Sequence, residues 1–162
     1  MLTPNWQTGA DFSLTSVDEI KPVAVLLPTG QAATGNLWGI SAQLIGTNLY
    51  SVRDTHVFNV SFLGGPLYHG TLLSYNNLTS LNDKWQLEPS LRYYTQSGAA
   101  GDSNNVWTTG LRAIYRIRNQ VSLESELTYE RSNATGAPNL NGPGASTTAA
   151  RMNYYLGIRI DF

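Results

Sequence analysis

Arg151-Met152-Asn153-Tyr154-Tyr155-Leu156-Gly157-Ile158-Arg159-Ile160-Asp161-Phe162 closes the chain. Taking every second residue gives Met152, Tyr154, Leu156, Ile158, Ile160 and Phe162. The residues between them are Arg151, Asn153, Tyr155, Gly157, Arg159 and Asp161. A β-strand points successive side chains to opposite faces, so this stretch reads as a strand with one apolar and one polar face.

The same period recurs upstream. Residues 104–117 set Trp107, Thr109, Leu111, Ala113, Tyr115 and Ile117 against Thr108, Gly110, Arg112, Ile114 and Arg116. Residues 120–130 set Val121, Leu123, Leu127 and Tyr129 against Glu124, Glu126, Thr128 and Glu130. Residues 84–95 set Trp85, Leu87, Leu91 and Tyr93 against Glu88, Ser90, Arg92 and Tyr94, with Pro89 unable to donate to a ladder. Weaker alternation marks 5–15, 36–49 and 55–63. In 70–80 either parity leaves an asparagine among the apolar residues. Eight strands result, and helical periodicity is nearly absent.

The intervening segments alternate in length. Residues 16–35, 64–69, 96–103 and 131–148 read as loops, and 50–54, 81–83 and 118–119 as short turns. An up-and-down meander would gather the long links at one end. Short turns at one end and longer loops at the other are the habit of outer-membrane barrels. Both termini then fall at the short-turn, periplasmic end.

Composition agrees with this reading. Of 162 residues, 13% are charged and 41% hydrophobic, against about 25% charged in an ordinary soluble domain. Mean hydropathy is −0.21, and no apolar run approaches the roughly 20 residues of a spanning helix. The length suits a single domain over 1–162. Without cysteine there is no disulfide framework or thiolate metal site. A net charge of −1 gives no electrostatic reason to expect nucleic acid. No carboxylate or histidine cluster has metal-ligand spacing, and no glycine-rich loop opens a helix, so no metal or cofactor is expected.

Charge placement narrows the choice among all-β folds. Asp11, Glu88, Arg92, Arg112, Arg116, Glu124, Glu126, Glu130, Arg151, Arg159 and Asp161 fall on polar faces; the remaining charges read as loop or strand-end residues. No charge is expected on an apolar face inside a strand. Every basic residue on a polar face is arginine, and Lys21 and Lys84 lie outside the strand bodies. A water-washed sheet normally carries lysine; arginine's planar fork suits fixed pairing with carboxylates. Glu88, Arg92, Arg112, Arg116, Glu124, Glu126, Glu130 and Arg159 are the expected charge network of the lumen. Trp6, Trp38, Trp85 and Trp107 sit near strand ends, as interfacial aromatics do. The expected fold is an up-and-down antiparallel transmembrane β-barrel of about eight strands, or the C-terminal part of a larger one.

The C-terminal strand resembles the sorting signal of bacterial outer-membrane proteins. Tyr155, Gly157, Ile160 and the terminal Phe162 carry the likeness. It implies recognition by the barrel-assembly machinery and residence in the outer membrane, among its lipid and lipopolysaccharide. Residues 36–162, with Gly35-Asn36-Leu37-Trp38-Gly39-Ile40 and Trp85-Gln86-Leu87-Glu88-Pro89-Ser90, also resemble the C-terminal barrel region of tetratricopeptide-repeat outer-membrane proteins. That likeness implies a periplasmic repeat domain upstream and a part in polysaccharide export or surface assembly. No helical repeat occurs in these residues.

The expected role is therefore structural, anchoring or translocation-supporting, without catalysis. Two alternatives stand beside it: a soluble β-barrel or sandwich binding a small apolar ligand, and an outer-membrane lipid-modifying enzyme. His56 falls on the Phe58 face near a short turn and His69 in a loop. Neither belongs to the His-x-Ser-Asn pattern of small lipid A deacylase barrels.

Overall fold

The computed structural model describes residues 4–17, 35–138, 142 and 144–161. Eight strands follow one another: β1 (Trp6–Val17), β2 (Gly35–Thr47), β3 (Asp54–Gly64), β4 (Tyr68–Ser80), β5 (Trp85–Gly98), β6 (Ser103–Arg118), β7 (Val121–Thr135) and β8 (Ser146–Ile160). They form one antiparallel sheet in chain order. There is no helix among the described residues. β1 pairs with β2 and β8 with β7, so the outer edges of β1 and β8 carry no strand partner among the described residues.

Registers carry the alternation from strand to strand. One row runs Thr8, Leu44, Phe58, Tyr75, Leu91, Thr109, Tyr129, Met152, each paired with the next. Directly opposite residues share a face, so the apolar sides of all eight strands share one face of the sheet. The same pairing decides β4: Leu73, Tyr75 and Asn77 join the apolar face, and Leu72, Ser74 and Asn76 the polar one.

Among the described residues nothing covers the apolar face. No hydrophobic side chain among the described residues is buried, and Phe12 and Ile158 are 65% and 66% exposed. The sheet is a single layer without a core behind it.

All four tryptophans stand on this face, two toward each end. Trp38 lies opposite Leu14, eight residues on from Trp6, and Trp107 opposite Tyr93, eight residues on from Trp85. Trp6 packs over its partner Gly46 and Trp38 over its partner Gly64, filling the space a Cβ would need. Trp85 meets Tyr115 at 4.8 Å between ring centres, and Trp107 meets Tyr93 at 4.3 Å.

Several expectations need correction. His69 belongs to β4, opposite Gly64. The β3–β4 link thus shrinks to 65–67, while the β2–β3 turn covers 48–53. The length difference between the two ends is smaller than the sequence suggested. β7 and β8 reach further than expected, leaving 136–145 between them; residues 18–34 lie outside the described residues. Three charges do stand on the apolar face of strands, one of them Arg118, which a register shift at the end of β6 sets opposite Val121. Asp54 opens β3 in the parity of His56 and Phe58, and Arg131 pairs with Trp107 in the extension of β7. Pro89 stays within β5, and the β4–β5 ladder has a gap between the Asn76–Ser90 and Thr79–Leu87 pairs.

Candidate functional site

The polar face divides by chemistry. On β1 to β4 it carries one charge, Asp11, among small polar groups and several aliphatic side chains, Leu37, Ile45, Leu63 and Leu72 among them. Ser41 Oγ donates to Asp11 Oδ1 (2.9 Å), Gln43 Nε2 to Asn59 Oδ1 (2.9 Å), and Asn59 Nδ2 to Ser74 Oγ (3.2 Å). On β5 to β8 it carries the other charges. Register puts Arg112 between Glu88 on β5 and Glu126 on β7. Its guanidinium lies 3.5 Å from Glu88 and donates to Glu124 Oε2 at 2.8 Å. Glu124 is buried, and its second oxygen is 3.9 Å from Arg159, which in turn binds Asp161 at 2.9 Å. Arg151 binds Glu130 at 2.9 Å.

Of the expected network, Glu88, Arg112, Glu124 and Arg159 are thus in contact. Glu130 belongs to a separate pair with Arg151, which the sequence reading left outside the network. Glu126 is directly opposite Arg112 but accepts only from Thr128 Oγ1, at 3.5 Å. Arg92 and Arg116 form no ion pair among the described residues. Arg92 has Ser74 and Thr108 as cross-strand neighbours, and neither can pair with it as a counter-ion. Paired guanidiniums and carboxylates of this kind tie strands together.

In β8 the Tyr155 phenol folds over Gly157, on the polar face of the same strand. A side chain at 157 would displace that ring. Ile160 ends β8 on the apolar face; Phe162 lies outside the described residues.

A second cluster escaped the sequence reading. Besides Glu124, the buried polar residues of the described chain are Asp54, His56 and Asn77, which gather at the short-turn end of the apolar face. The β2–β3 turn starts from Asn48 at φ 54°, a conformation asparagine tolerates. It folds back so that the N–H groups of Leu49, Tyr50 and Ser51 donate to the Asp54 carboxylate at 2.7–2.8 Å. Asp54 Oδ2 also approaches His56 Nε2 at 3.4 Å, and His56 Nδ1 lies 2.9 Å from the Tyr75 hydroxyl. Asn77 donates to the Thr55 carbonyl, and Tyr50 meets the imidazole edge-on. The shared parity of Asp54 and His56 was the available signal. It was missed because Asp54 was read as a turn residue. From the same turn Arg53 binds Asp83 of the β4–β5 turn at 2.7 Å and holds that carboxyl below its usual range, chiefly by hydrogen bonding. The Asp54 cluster locks a turn: its carboxylate takes three backbone donors.

The chain matches no family model, no curated protein and no solved structure.

Proposed function

We propose that this chain forms the wall of an outer-membrane β-barrel, with a structural, anchoring or translocation-supporting role and no catalysis. The carrying observation is the uncovered apolar face with its tryptophans in two bands. An eight-residue separation is about 27 Å along a strand. At a tilt of about 40° that becomes a layer about 20 Å deep, near the roughly 25 Å apolar band of membrane barrels flanked by aromatic girdles. Arg131, Asp54 and Arg118, the charges on that face among the described residues, sit at band level or at a strand end. Arg131 pairs with Trp107, and Asp54 lies at the strand end. There a long side chain reaches headgroups. Outer-membrane lipid and lipopolysaccharide are the partners this face suits. Tyr155, Gly157 and Ile160 support recognition by the barrel-assembly machinery.

One feature favours the soluble alternative, an apolar trough of about 540 Å³ lined by Leu44, Phe58, Val60, Tyr75, Tyr93 and Trp107. It lies on the same uncovered face, where an acyl chain of the surrounding lipid would fill it as well as a captured ligand.

Refolding into phosphatidylcholine vesicles tests the proposal. The folded form should migrate differently before and after boiling. Its tryptophans should be quenched more strongly by bromines near the headgroups than by bromines at the midplane. A monodisperse, folded monomer in water without detergent would overturn it.

A further inference from the structure

The free edges of β1 and β8 bear on how the wall is completed. Each presents a row of unpaired N–H and C=O groups, and hydrocarbon offers them no partner. Resting on the membrane reading, we infer that β8 pairs with β1 of the same chain, antiparallel and displaced by about eight residues from the row that the ladders trace.

The tryptophan bands fix that displacement. The row through Trp38 passes Gly64, His69 and Ser97 and reaches β6 at Ser103. Trp107 stands four residues further toward the short-turn end. The row through Trp6 passes Gly46, His56 and Asn77. Beside the Asn76–Ser90 pair it reaches β5 at Pro89. Trp85 stands four residues further toward the same end. Both bands therefore drift one residue per strand over four strands. With a rise of about 3.3 Å per residue and strands about 4.8 Å apart, this corresponds to a tilt of about 35°, at the lower end of the barrel range. Over eight strands the drift amounts to about eight residues, a stagger within the range that closed barrels need. The opposite sense would leave β1 facing the loop before β8.

Without displacement, the row through Thr8 ends at Met152. Displaced by eight, Thr8 meets Ile160, and Ala10, Phe12 and Leu14 meet Ile158, Leu156 and Tyr154 on the apolar face. On the polar face Gly9 meets Arg159, Asp11 meets Gly157 and Ser13 meets Tyr155, a small residue against a large one or a charge against a glycine. Asp11 is the sole charged residue on the described polar face of β1 to β4, and no cation accompanies it on those strands. In this register Arg159 is its diagonal neighbour, within reach of a long side chain. Closure within one chain also sets Gly39, Ser41, Ser61 and Ser74, the small residues toward the middle of the β2 to β4 polar face, opposite Arg112, Glu124 and Glu126 on β6 and β7. Small and large opposed in this way fill a narrow barrel. A ring of two copies would set these small residues opposite their own copies.

The chain has no cysteine, so Thr15→Cys with Asn153→Cys reports the seam directly. After refolding into vesicles and mild oxidation, the pair should join within a monomer. Thr15→Cys with Ala149→Cys should stay unlinked. Links between monomers would assign the edge to a second copy, and absence of any link in a heat-modifiable, folded barrel would assign it to other strands; either result overturns the inference. Leu14→Cys with Tyr154→Cys repeats the test on the other face should the first variant fold poorly. Failure of the unmodified chain to enter vesicles would instead remove the membrane reading on which the seam rests.

Discussion

At the scale of single residues, neighbouring positions on one strand have opposite tolerances. Leu127 is on the apolar face and Thr128 on the polar face. Leu127→Arg is expected to cost about 2–4 kcal/mol of folding stability in lipid, and Thr128→Arg much less, measured by urea titration in vesicles. Asp54 makes the second prediction. Asp54→Ala strands three turn N–H groups and removes the partner of His56. Bonds to charged acceptors contribute about 1.5–3 kcal/mol each, but water reaches an opened turn. The net loss should be about 2 kcal/mol, read by the same titration. Gly64→Val would force Trp38 off the strand, and overpacking of this kind costs about 1–3 kcal/mol.

At the scale of elements, β5 to β7 are fastened by Arg112, which contacts Glu88 on one side and Glu124 on the other. Arg112→Ala leaves a buried carboxylate without its closest cation. A loss of about 1–3 kcal/mol is expected, larger than for Arg92→Ala, because Arg92 has no ion partner among the described residues. For β8, Phe162→Ser should lower the amount of assembled barrel in cells without changing refolding into vesicles, if the strand is read as a sorting signal. The strands themselves were legible because period-two patterning survives wherever one face meets a single medium. β4 was not legible alone. Asn76 and Asn77 make its two parities nearly equal, and only pairing with β3 separates them. The Arg112 cluster was legible as three alternating strands. Its partition into Glu88–Arg112–Glu124–Arg159 and Arg151–Glu130 was not, because registers decide which charges meet. Asp54 was hidden for a different reason: a carboxylate that caps a turn looks, in sequence, like any solvated turn residue.

At the scale of the whole molecule, a closed eight-stranded sheet leaves room for side chains and little else. The refolded chain should therefore give no steady single-channel conductance in planar bilayers. Discrete open steps would instead require a wider ring. The described residues contain no buried apolar side chain, which has a consequence for how the chain reaches its structure. A soluble domain collapses first on its own interior, the dominant favourable contribution to folding. The described sheet has no such interior, so on the proposed membrane reading its folding free energy comes from its surroundings. Stability would then be a joint property of protein and bilayer. It should peak where the hydrocarbon thickness matches the distance between the two tryptophan bands and fall in thicker membranes through hydrophobic mismatch.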